Sequence, residues 1–428
     1  MKFKFACLFV CLVTILFDLY GQTISEAFLI RRMADSLYRG GLYLNASKLY
    51  LDFAKSSKYS LHKKGAIYSA ACCQALAGNK DTAIQYLKSL IYDLRFKDYL
   101  SILGEGDLKS IKSESFWGEV EKLQMGRQEA MQSPRNPQLI TTDVHNFWKA
   151  FDAAQKDTAS SKEIFQELYF DKGSEGLEDY FASKIGTVES FVINQERKPL
   201  FYKAIRRNTY LVDGMKEQMK KRFEKLKSIY PEALFPDMYF VIGRCNSAGT
   251  VSDNGMLIGL DQIVRSPDIP LTELNKWEKD NFHDVNKIPV IVAHELIHFQ
   301  QSAMANDTTL LSNAIREGMA DFIAEIITGI NPSQLLQEYA KDKRLEIWNE
   351  FKAEMYLNRS NKWIANGSMD LKGKPADLGY YMGYEICKSY YEQAKDRNGA
   401  IYEMLHIKNY KVFLGKSKYE ETVNSGNK

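Results

Sequence analysis

His294 and His298 stand four residues apart in "PVIVAHELIHFQQ", residues 289–301, with Glu295 directly after the first. At 3.6 residues per turn, that spacing puts two imidazoles on one helix face, one turn apart. Neutral imidazoles so placed can fill two positions of a tetrahedral Zn²⁺ site. Glu295, about 100° around the helix, can meet a metal-bound water without facing the metal head-on. The Ile, Val, Ala, Leu and Phe around these residues predict a buried helix, and polar groups buried there need compensation.

A third protein ligand must come from another element. Glu317, in "NAIREGMADFIAEIITG", follows His298 by 19 residues on a second amphipathic helix. Asp321 lies one turn further on the same face, where it can accept the free N–H of a ligating histidine and fix its orientation. H-E-x-x-H followed about twenty residues later by E-x-x-x-D resembles the gluzincins, the thermolysin-like zinc metallopeptidases. The wider stretch, roughly residues 141–396, is similar to a bacterial family of predicted zinc-dependent proteases. "YPEALFPDMYFVIG", "GTVSDNGMLIG", "VIVAHELIHFQQ", "REGMADF" and "LGYYMGYEICKSYY" carry that likeness.

The resemblance implies that His294, His298 and Glu317 bind one Zn²⁺ and that Asp321 partners His294. It also implies that Glu295 takes a proton from the metal-bound water and hands it to a leaving amine. An oxyanion would need one more donor. Tyr380 and Tyr384 share a helix face and His406 is a rival; similar aminopeptidase-like enzymes use a tyrosine three residues before a small one, which favours Tyr380.

The elements that must position these groups are mostly helical. The 428 residues allow two or three domains. The 57 basic and 54 acidic residues are spread along the chain, so charge gives no case for nucleic acid. The start, "MKFKFACLFVCLVTILFDLYGQT", has two lysines and then an apolar run too short to span a bilayer, which predicts a signal peptide over 1–21 and an exported protein, periplasmic or extracellular. No later stretch predicts a transmembrane span. Cys72, Cys73, Cys245 and Cys387 have no CxxC spacing and read as free buried thiols.

Residues 22–125 carry helical periodicity and two similar segments, with Gly41 before Ala46 and Gly78 before Ala83, an offset of 37 residues. The pattern resembles tetratricopeptide repeats, a helical module suited to a protein partner, with small residues letting paired helices approach. Polar, proline-containing 126–139 reads as a linker, and 140–428 as a zincin-like domain. "DMYFVIG" and "MLIGLDQIV" predict buried strands flanking a loop, "RCNSAGTVSDNG". Met256–Gly259 is the expected edge strand for an extended peptide. His62, His145 and His283 have no ligand-like spacing.

The expected fold is therefore α+β and helix-dominated. The expected function is an exported zinc peptidase acting on peptide or protein substrates. The alternatives are a binding or scaffold protein with an inactive or structural-zinc domain, and a zinc hydrolase of a non-protein amide. Glu295 favours the peptidase, because holding zinc does not by itself require that acid.

Overall fold

The computed structural model describes residues 26–425 except 58, 368, 370 and 372. The signal-peptide expectation for 1–21 lies outside the described residues. The chain divides into two compact units, Met1–Met125 and Gly126–Lys428. Helix dominates both, and a small mixed sheet sits in the second. No helix among the described residues is long and apolar enough to cross a membrane.

Four helices open the first unit: Glu26–Arg39, Tyr43–Ser56, Ser60–Leu76 and Lys80–Lys88. Ala46 and Ala83 are fully buried, as small residues at a close helix contact must be. Gly41 and Gly78 have a different role from the one expected. Their φ angles are 74° and 84°, and a Cβ on either would meet nothing within 4 Å. They are turn residues in the left-handed region, which glycine enters without steric cost. After a short helix, Tyr99–Gly104, the Ser115–Met131 helix follows and continues into the stretch read as a linker. That stretch has helix formers and no proline before Pro134, so nothing stops the helix earlier.

In the second unit the sheet has the order β1-β2-β4-β3. β1 (Leu139–Ile140) and β4 (Met256–Gly259) flank β2 (Met238–Val241) in parallel, and β3 (Gly249–Val251) pairs antiparallel with β4. Every residue of β2 and β4 is buried, as their unbroken apolar runs predict. The edge expectation fails: β4 is internal, and the edges are β1 and β3, the latter from within the stretch expected to be a loop. Three residues of Gly-Thr-Val among serines and asparagines give no periodic signal, so pairing with β4 alone makes them a strand.

Three helices frame the site. The histidine helix, Ile288–Gln300, starts with Pro289 in its first turn, where a missing N–H costs nothing, and is buried from Ile288 through Ile297. The carboxylate helix, Leu310–Thr328, is capped by the Thr309 hydroxyl, which accepts from the Ser312 N–H, and ends at Gly329 with φ 76°. The tyrosine helix, Leu378–Gln393, lies against the carboxylate helix at backbone distance. A Cβ on Gly318 would sit 1.9 Å from the Tyr384 nitrogen, and one on Gly383 would sit 1.7 Å from the Ala314 oxygen. Each glycine thus meets rigid backbone of the other helix. Gly318→Ala should destabilise the protein by about 3 kcal/mol in urea unfolding, by overpacking that cannot relax through a side chain. A loss below about 0.5 kcal/mol would show that the two helices can separate freely.

Candidate metal centre

The histidine and carboxylate helices bring three ligand atoms together. His294 Nε2 and His298 Nε2 are 3.0 Å apart, and Glu317 Oε2 is 3.1 Å from His298 Nε2 and 3.7 Å from His294 Nε2. A tetrahedral Zn²⁺ with bonds of about 2.0–2.1 Å needs ligand atoms roughly 3.3 Å apart, and these three edges bracket that length.

The outer hydrogen bonds decide what those atoms are. His294 Nδ1–H donates to Asp321 Oδ1 at 2.7 Å, and the other Asp321 oxygen accepts from the Ser333 hydroxyl. His298 Nδ1–H donates to the Gln301 carbonyl at 3.0 Å; the Gln301 amide nitrogen is committed to the Arg316 carbonyl, which fixes the side chain's direction. With both Nδ1 atoms protonated, each neutral imidazole turns a bare Nε2 lone pair to the centre. Two such lone pairs and a carboxylate oxygen converge, so the arrangement calls for positive charge between them.

The proton affinities express the same demand. Burial alone would push the His294 imidazole down, yet hydrogen bonds to Asp321 and Glu317 hold it well above its usual range. Burial also opposes charge on His298, and nearby Glu317 raises it overall. For Glu317, burial would favour the neutral acid, but the two imidazoles keep its carboxyl well below the usual range. A divalent cation supplies this charge without placing two imidazolium rings in contact. Among the described residues, His294, His298 and Glu317 form the one cluster with metal-ligand geometry.

Glu295 is buried beside this trio. Burial raises its carboxyl above the usual range, against the pull of His298 and His294. Its side chain lies on the β3 backbone: a Cβ on Gly249 would come 2.3 Å from Glu295 Oε1. Tyr380 reaches the centre from the tyrosine helix. Its ring is nearly parallel to that of His294, 6.0 Å between centroids at 13°, and its hydroxyl bonds to Glu317. Tyr384 faces elsewhere and donates to Glu325 Oε2 at 2.6 Å. His406 stacks on Tyr402. Gln301, Ser333 and Gly318 were not singled out from the sequence. Only Gln301 had a local clue, since it follows His298 by three residues and so falls beside it.

The sequence profile described as "Gliding motility protein GldB" matches residues 132–421. The chain belongs to that family. No curated protein and no solved structure matches it. Membership of the GldB family corrects the resemblance to the gluzincins and to predicted zinc-dependent proteases, because its match spans every stretch that carried the likeness. The assignments as a metallopeptidase, as a hydrolase of any amide and as an enzyme fall with it. No peptide substrate is indicated; the fold seats Glu295 and Tyr380 beside the ligand atoms and turns Tyr384 away to Glu325. The physical reason is that H-E-x-x-H with a later glutamate specifies where ligand atoms meet, not what happens to a substrate there. The lipoprotein designation of the family agrees with an exported chain.

The bonds behind the two histidines generate a test. Asp321→Asn and Gln301→Ala should each weaken Zn²⁺ binding by about 10–100-fold in a chelator-competition titration. Affinities equal to the native protein's would show that the imidazoles are not held by these partners.

Proposed function

We propose that this GldB-family protein is an exported binding or scaffold component whose second unit is organised by a structural Zn²⁺ on His294, His298 and Glu317. The observation that carries the metal is the convergence of two bare Nε2 atoms and a carboxylate oxygen at tetrahedral spacing. The observation that carries the scaffold is membership of a family described by a motility role. Bound there, the ion would tie the histidine helix to the carboxylate helix, adding to the His294–Asp321 hydrogen bond between them. A zincin-like arrangement is then used for rigidity. The helical first unit is the natural place for a protein partner, since paired helices present broad surfaces and its small residues carry no cluster of reactive side chains.

Glu295 has a structural account in this reading. Packed on Gly249, it fills the space between the histidine helix and the sheet edge, and burial raises its carboxyl above the usual range. The intact acid is therefore no sign of hydrolysis.

The reading separates Glu295 from the ligands in function. In a gliding bacterium lacking its own copy, Glu295→Gln should restore motility to the native level, with about one zinc per chain retained. His294→Ala should lose the zinc, melt at lower temperature and fail to restore motility. If Glu295→Gln abolishes motility while keeping zinc content and melting temperature, the acid performs chemistry and the scaffold reading is wrong.

A further inference from the structure

A cleft of the second unit, about 1340 Å³, lies between the segment leading into the histidine helix, the segment 332–339 and the residues around Pro375–Tyr380. That volume exceeds what a drug-sized ligand needs. Its charges are not evenly satisfied. The carboxylates on its walls are engaged by the protein itself: Asp280 with Lys276, Asp284 with the Asn286 N–H at 2.9 Å, Glu338 with the Gln334 amide at 3.0 Å, and Asp377 with the Ala365 N–H at 2.6 Å.

The donors at one end are not engaged in this way. The Gln262 side chain is 6 % exposed, and its amide nitrogen is buried without a hydrogen-bond partner among the described residues. An unmet buried donor of this kind costs about 1–3 kcal/mol unless something accepts from it. The half-buried Lys287 ammonium reaches only the Pro332 carbonyl, at 3.5 Å, and forms no ion pair among the described residues. The His283 ring forms no hydrogen bond among the described residues either, while its backbone N–H holds the Gln262 carbonyl at 2.7 Å, so the two side chains share one end of the cleft. Ile269, Trp277, Leu336 and Tyr339 give the rest of the cleft apolar walls.

We propose that this cleft binds an organic oxyanion, a carboxylate or phosphate monoester on an apolar body, with the head accepting from Gln262, His283 and Lys287 and the body lying on Trp277 and Leu336. The oxyanion supplies the acceptor that Gln262 lacks and a direct ion-pair partner for Lys287, which Asp284, Asp321 and Glu338 attract only from beyond ion-pair distance. Burial and nearby Lys287 depress the His283 imidazole to about 4, so the ring enters the interaction neutral, with one N–H to give. None of these donors is a ligand of the metal centre, although Ser333 and Tyr380, which border that centre, line the same cleft.

Calorimetric titration of the full exported chain with octanoate, octyl phosphate and inorganic phosphate tests it. At least one of the two octyl compounds should bind at a single site with a Kd below about 100 µM, and inorganic phosphate at least about tenfold more weakly. Gln262→Leu and Lys287→Met should each weaken that binding at least about tenfold. Gln262→Leu should also melt no lower than the native protein, since it removes an unmet donor, and this separates lost binding from lost folding. Three results overturn the proposal: no octyl compound binding below about 1 mM, inorganic phosphate binding as tightly as octyl phosphate, or both variants binding as the native protein does.

Discussion

Two imidazole nitrogens and a carboxylate oxygen from two helices meet within 3.0–3.7 Å of one another. That convergence is the constraint on which the second unit depends. A cation placed among the three would turn it into a cross-link between two consecutive helices. The surrounding groups all serve the same geometry. Asp321 and Gln301 fix the tautomers, Ser333 holds Asp321, and Tyr380 lies along the His294 ring. Gly318 and Gly383 let the tyrosine helix come close enough to bring that ring into place.

Much of this was legible in the sequence because it depends on helical period alone. A spacing of four from His294 to His298, and of four from Glu317 to Asp321, puts each pair on one face whatever the tertiary fold. What was not legible depends on contacts between elements. β3 has no hydrophobic alternation of its own and exists through its pairing with β4. Gly318 reads as an ordinary helix residue until the Tyr384 backbone is seen across from it. Ser333 lies beyond the carboxylate helix, in a turn that only the fold returns to Asp321.

The function was the least legible, and for a related reason. A metal site is a geometric solution, and the same ligand spacing serves catalysis or structure. Glu295 looked decisive because a hydrolase needs an acid beside the metal. In the fold it is also the group that packs on the edge strand at Gly249, so its presence does not discriminate. The family of gliding motility protein GldB, matched over residues 132–421, decides against the hydrolase.

X-ray absorption at the zinc edge of the purified protein examines the central claim most directly, since it reads the ion's own surroundings. The account predicts bound zinc with two imidazole nitrogens and one carboxylate oxygen at about 2.0–2.2 Å. Zinc with a sulfur-containing or wholly aqueous shell, or protein that takes up no zinc at all, would contradict it.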